Sequence, residues 1–234
     1  MSASWIRERS KLTAAKCLHL LEQPKTASDN ERLAAFHALR TRIRSGDRAP
    51  IPYDLPYPKY EFLQYLVEND DLILHGSNHS DITHLEPQRQ TTFFGRAANA
   101  VFATPDAIWC LFFAIVNNDG FTGSKRNGCL RVALPGNRLR KFYWFSLSEP
   151  MLRRNEAFCD GSVYVLPRVT FTQGDIADEW TSEKPVTPLA RLEVTPSDFP
   201  FIDNVAVHSD SEPPWRFFCN MLWTRPPGLG RSSR

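Results

Sequence analysis

Near residue 75 an imidazole, a bare backbone and a hydroxyl arrive in succession, as His75, Gly76 and Ser77 close the apolar run Leu72-Ile73-Leu74. A short apolar run bounded by small polar residues predicts a strand, so the three would face a ligand from a strand end. Imidazole can hold a hydroxyl or move a proton, glycine admits close approach to the backbone, and serine adds a donor and an acceptor. Taken alone, the cluster fits a metal site, a hydrolase or plain core structure. A histidine at a strand end is commonly a half-buried residue satisfied by a backbone carbonyl. Metal binding is disfavoured: His79 and His84 lie nearby, but no cysteine or carboxylate cluster at ligand spacing joins them, and His79-Ser80-Asp81 reads as a turn. A hydrolase built on Ser77 and His75 is disfavoured too, because no G-x-S-x-G elbow surrounds the serine.

Positioning these residues requires a scaffold, which apolar periodicity outlines. Leu12, Ala15, Leu18, Leu20 and Leu21 predict a helix from about Ile6 to Gln23, and Leu33, Phe36, Leu39 and Ile43 a second from Asn30 to Arg44. Ser28, Asp29 and Asn30 offer caps for the second helix and Gly46 a stop. Between Arg48 and Pro58 four prolines remove donors and force extended backbone, which reads as a strap packed by its Tyr and Leu side chains. Pro58 to Glu68 predicts a short helix, and the turn Asn69-Asp70-Asp71 leads into the His75 strand.

Further strands are predicted at Ala100 to Ala103, Cys129 to Leu134, Arg140 to Ser146, Ser162 to Leu166 and Pro188 to Val194. One strong helix interrupts them, from Pro105 and Asp106 to Val116, with Thr104 as its expected N-cap. Its Ile108, Leu111, Phe112 and Ile115 form a buried stripe. Most strand connections are too short for a helical crossover, so the sheet should be mostly antiparallel. The expected organisation is an α+β domain over residues 58–225, a helical extension and strap over 1–57, and a frayed tail over 226–234.

Composition narrows the class. With 42% hydrophobic and 12% aromatic residues the chain is globular, and a net charge of +2 gives it no overall preference for nucleic acid or an anionic membrane. Its five cysteines are widely spaced and form no C-x-x-C pair, the pattern of reduced, structural thiols. No signal-peptide run follows the basic N-terminus and no apolar window reaches bilayer length, so a soluble, cytoplasmic protein without a membrane partner is expected.

Three segments then fall into order: Leu74-His75-Gly76-Ser77; Asn99 to Asp106 running into the apolar helix; and Asp178-Glu179-Trp180-Thr181-Ser182-Glu183-Lys184-Pro185-Val186. The order and chemistry of these segments resemble the ADP-ribosyltransferase superfamily, in its diphtheria-toxin-like and poly(ADP-ribose)-polymerase-like branch. That branch opens with His-Gly-Ser or His-Gly-Thr on a strand, continues with an aromatic strand leading into a helix, and closes with a glutamate that starts a later strand. The likeness spans about residues 71–194.

The resemblance implies an ADP-ribosyltransferase-like split antiparallel β-sheet core that consumes NAD as substrate. It implies a glycosyltransferase that cleaves the nicotinamide–ribose bond and transfers a single ADP-ribose to a macromolecular acceptor, with an NAD glycohydrolase or a non-catalytic NAD or ADP-ribose binding module as alternatives. His75 and Glu179 would be the catalytic pair, His75 by holding the adenosine ribose and Glu179 by stabilising the cationic transition state, while Gly76 would present its backbone to the nicotinamide amide and Ser77 would add a hydroxyl contact. Arg89 and Arg96 are the candidates for the pyrophosphate or adenosine end, since guanidinium pairs well with phosphate oxygens. Where the family commonly places a tyrosine that stacks on nicotinamide, this chain has Phe102, or Val101 if the alignment shifts by one. Ala177, two residues before Glu179, departs from branches that carry Gln or Glu there and disfavours arginine as acceptor. RNA 2′-phosphotransferases share the fold and use several arginines, here Arg89, Arg96, Arg126, Arg131 and Arg138. The sequence does not name the acceptor: protein, DNA, RNA and small molecules are all compatible.

Overall fold

A computed structural model of the chain describes residues 3–26, 29–44, 50–118, 123–136, 138–152 and 157–211. The expected tail at 226–234, the Gly46 stop and the Ser28 cap lie outside the described residues. In chain order the elements are α1 (Ala3–Cys17), β1 (Leu21–Glu22), α2 (Asn30–Arg44), α3 (Lys59–Asn69), β2 (Leu72–Ser77), β3 (Gln88–Thr91), β4 (Ala97–Ala103), α4 (Ala107–Ile115), β5 (Lys125–Leu134), β6 (Arg138–Ser148), α5 (Glu149–Leu152), β7 (Gly161–Pro167), β8 (Thr172–Gln173), β9 (Trp180–Ser182), β10 (Ala190–Val194) and β11 (Ala206–His208). The architecture is mixed α+β with mainly antiparallel pairing. No helix among the described residues is long and apolar enough to cross a membrane.

The chain divides into two compact units, and the division does not follow the expected boundary at residue 57. One unit takes residues 26–118 and 158–200, the other 1–25, 119–157 and 201–234. The extension is split because α1 packs on β5, with Ala15 against Val132 and Phe142, whereas α2 docks through Phe36 onto Tyr57, Phe62 and Tyr65 at ring distances of 5.4–5.7 Å. The strap follows α2: Tyr53 lies 5.6 Å from Phe62, and Pro50 bridges to Arg191.

In the unit that holds His75, two antiparallel sheets form, in the orders β10-β7-β2 and β3-β4-β9-β8. They meet at one bridge, where Leu74 and Thr104 exchange backbone hydrogen bonds of 3.0 and 2.8 Å. A shared core fills the angle between them, built from Ile73, Tyr164 and Leu166 of the first sheet, Val101 and Ala103 of the second, and Leu85, Phe171 and Val186. Burial of side chains of this size contributes roughly 1.5–3 kcal/mol each. On the other face of β2 runs α4, almost wholly apolar. It approaches so closely that a Cβ on Gly76 would strike the Cys110 carbonyl and the Ala114 amide, and one on Gly161 the Ala114 carbonyl. The N-cap of α4 is Asp106, whose carboxylate accepts the Trp109 amide at 2.9 Å, and not the expected Thr104, whose hydroxyl instead accepts the Asp106 amide. Thr104 is engaged as backbone in the inter-sheet bridge, which moves the start of the helix on.

The second unit is a hairpin of β5 and β6 with β1 antiparallel and β11 parallel to β6. The first helix ends earlier than its apolar spacing predicts. His19 takes a left-handed φ of 49°, the turn closes, and Leu21 pairs with Tyr143 as strand.

Tyr164 ties a loop to the core, its hydroxyl donating to the His79 carbonyl at 2.7 Å and accepting the Ile82 amide at 3.1 Å. Tyr164→Phe keeps the ring and strands both partners, so it should cost about 1–3 kcal/mol. Chemical denaturation measures this, and an unchanged midpoint would show that the loop is held by something else.

Candidate functional site

His75 sits where the two sheets part. Its Nδ1 lies 2.7 Å from the Phe102 carbonyl, which can only accept, so Nδ1 carries the proton. Residues two apart on a strand turn their carbonyls to the same edge. Phe102 is therefore the next rung beyond the Thr104 bridge, and the imidazole takes the place of a backbone partner there. In the neutral ring the proton on Nδ1 leaves Nε2 with a lone pair, an acceptor for a ligand hydroxyl. Burial holds the His75 pKa below the usual histidine value, against the opposing pull of the Phe102 carbonyl. The role common for a strand-end histidine and the proposed ligand role thus use different nitrogens of one ring.

Glu179, half-buried, leads into β9, which pairs with β4 so that Trp180 faces Ala103 and Thr181 faces Phe102. Its carboxylate accepts the Phe93 amide at 2.7 Å through Oε2 and the Asp175 amide at 3.0 Å through Oε1. Gly174 makes room for it: a Cβ there would come within 2.5 Å of Oε1. Burial raises the Glu179 pKa, while the Phe93 amide and the Arg96 charge oppose the shift. Two amides fix the carboxylate without exhausting it, since its oxygens offer about four lone-pair positions. Of the neighbouring acids, Asp178 is buried and Glu183 exposed.

The Phe93 amide belongs to the β3–β4 turn, closed by hydrogen bonds from the Thr92 amide to the Arg96 carbonyl and from the Gly95 amide to the Thr92 carbonyl. Gly95 has φ +80°, a conformation that suits glycine. Asp175 accepts the Phe94 amide and pairs with the Arg96 guanidinium. Arg96 is therefore tied beside Glu179, and Arg89 stands exposed on β3 opposite Asn99.

Strand alternation sorts the remaining candidates. His75 and Ser77 share the Ile73 face of β2, while Gly76 faces α4, so the space left by its missing Cβ is occupied by that helix. The Ser77 hydroxyl accepts the His79 amide at 3.1 Å. Val101 is buried in the core between the sheets, which removes it as a stacking platform. Phe102, half-buried, turns to the opposite face of β4, the face of Thr181. The structure thus joins His75 to the Phe102 backbone and Glu179 to Arg96, with β4 and β9 as the link between the two groups. Arg126, Arg131 and Arg138 belong to the other compact unit.

Two residues here escaped sequence reasoning. Tyr164 pairs with His75 across β7 and β2, ring centroids 6.5 Å apart. Its only signal was a hydroxyl-bearing ring inside an apolar strand. Asp175 has a side chain only 1% exposed and anchors the turn, yet Gly174-Asp175 reads as an ordinary loop pair. Comparison of the chain with protein-family models, curated proteins and solved structures finds no match in any of the three.

Because the folded His75 takes up a proton less readily than the unfolded chain, its contribution to stability is full above pH 6.5 and is lost as pH falls through its lower folded value. Glu179 has the opposite sign, its raised folded value costing stability as pH rises above 4.5. Comparing wild type with His75→Gln isolates the histidine. Between pH 7 and pH 5 the wild-type denaturation midpoint should fall more steeply, and parallel profiles would contradict the burial of the ring.

Proposed function

We propose that this protein is an NAD-consuming ADP-ribosyltransferase that breaks the nicotinamide–ribose bond and passes ADP-ribose to a macromolecular acceptor. The reading rests on the likeness of the three ordered segments to that superfamily, and one observation supports it most: the inter-sheet bond of His75 leaves Nε2 free to accept a ribose hydroxyl at the split between two antiparallel sheets.

In such a reaction the electrons of the breaking bond pass to the positively charged nicotinamide nitrogen, so the leaving group departs neutral and needs no acid. The ribose left behind is oxocarbenium-like. A carboxylate held by two backbone amides is already oriented when that charge develops and need not reorganise, which is how preorganised groups lower a barrier. Glu179 would take this part and accept the ribose hydroxyl through its remaining lone pairs. Phe102 supplies a ring without the hydroxyl of the usual tyrosine, so stacking on nicotinamide would lack one polar contact. Water in place of the acceptor would make the same site an NAD glycohydrolase.

A second reading, a non-catalytic NAD or ADP-ribose binding module, draws on the engagement of both Glu179 oxygens by backbone amides. Calorimetry showing tight nucleotide binding without turnover selects it.

Incubation of the protein with NAD and cell lysate should release nicotinamide and label a macromolecule, and Glu179→Ala should slow the release by about 100-fold or more. Equal release by both proteins would sink the transferase reading.

A further inference from the structure

Outside the unit that holds His75, four polar side chains converge at one end of the β5–β6–β11 sheet. Ser124 lies just before β5, Ser146 on β6, His208 closes β11, and Asp210 follows two residues later. The Ser124 hydroxyl is 2.7 Å from His208 Nε2 and 2.6 Å from Asp210 Oδ1, and the Ser124 amide donates to the same carboxylate oxygen at 3.1 Å. On the other side of the ring, Ser146 Oγ is 2.7 Å from Nδ1. The imidazole has no exposed side-chain surface, Ser124 is half-buried, and Asp210 is 45% exposed, with 4.0 Å between its Oδ1 and Nε2.

We propose that Ser124 is a nucleophile for acyl compounds, with His208 as its base, in a site separate from the nucleotide reading above. Two bases flank one hydroxyl, so its proton has an acceptor on either side. In one arrangement Nδ1–H donates to Ser146 and the Nε2 lone pair accepts from Ser124. In the other, Ser146 donates to Nδ1, Nε2–H donates to Ser124, and Ser124 donates to Asp210. Only protons move between them: the second, in which Ser124 donates to Asp210 at 2.6 Å, is the resting form, and the first is the reactive one. Ser146 is a positioning residue that holds the ring through Nδ1 in either arrangement, the orienting part that a third group plays where a serine is activated by histidine. Asp210 offsets the imidazolium charge once it forms. Its own pKa is held low, chiefly by the Ser124 hydroxyl. Beside the cluster, the buried Ser148 hydroxyl lies against Gly123 and has no hydrogen-bond partner among the described residues.

The step balances without a cofactor. Ser124 Oγ attacks the carbonyl carbon of an ester and its proton passes to Nε2. The bond to the alcohol breaks, the alcohol leaves with that proton, and an acyl ester of Ser124 remains. Water, deprotonated by the same nitrogen, then cleaves the acyl ester and restores the hydroxyl.

A fluorophosphonate probe on the full chain tests this, read by intact mass and peptide mapping. A single adduct on Ser124 is expected, absent in Ser124→Ala and formed about 100-fold more slowly in His208→Gln. Ser146→Ala should slow labelling and shift its pH profile, which a merely structural hydroxyl would not do. Failure of wild-type protein to label, labelling at another residue, or equal rates for wild type and folded His208→Gln would each overturn the proposal. None of these outcomes depends on NAD.

Discussion

Among the described residues a single backbone bridge, Leu74 to Thr104, joins the two sheets around His75, and most of the candidate site follows from how the chain manages the rung beyond it. Below the bridge the strands diverge, which would leave the Phe102 carbonyl without a partner in a largely buried setting. A buried carbonyl left unpaired costs roughly 1–3 kcal/mol. The imidazole removes that penalty at 2.7 Å and, in doing so, fixes its own tautomer. One bond thus satisfies the carbonyl and leaves the Nε2 lone pair as the ring's acceptor. Gly76 belongs to the same constraint from the other face, since α4 presses on β2 too closely for any side chain there.

The carboxylate side is organised differently. Glu179 is held by amides from two loops, and the turn that supplies one of them is secured in its turn by Asp175 and Arg96. Charge, desolvation and backbone donors act on this group together, and burial wins, raising its pKa. His75 is depressed by the same cause acting on a base. Burial thus moves the two groups in opposite directions on the pH scale, the acid up and the base down.

Periodicity made the large elements legible. The second helix, the buried stripe of α4 and the apolar β7 follow directly from residue spacing, because each buries one face or both. What escaped lacks that signal. Gln88-Arg89-Gln90-Thr91 is an exposed edge strand with no apolar face, and β9 is three residues long. Leu20 and Leu21 continue a helical spacing, yet a left-handed His19 redirects them to the sheet. Contacts between distant residues are invisible to any local pattern: Ser124 and His208 stand 84 positions apart, and Phe93 and Glu179 86. His75 was readable because its neighbours in sequence carry the chemistry with it; Asp175 and Tyr164 were not.

Nitrogen-15 NMR of the His75 ring at neutral pH, recorded without and with saturating NAD, tests the central claim most directly. The proton should reside on Nδ1 in both spectra, and the Nε2 resonance alone should move when NAD is added. A proton on Nε2, an imidazolium ring at pH 7, or an Nε2 signal indifferent to NAD would contradict the account.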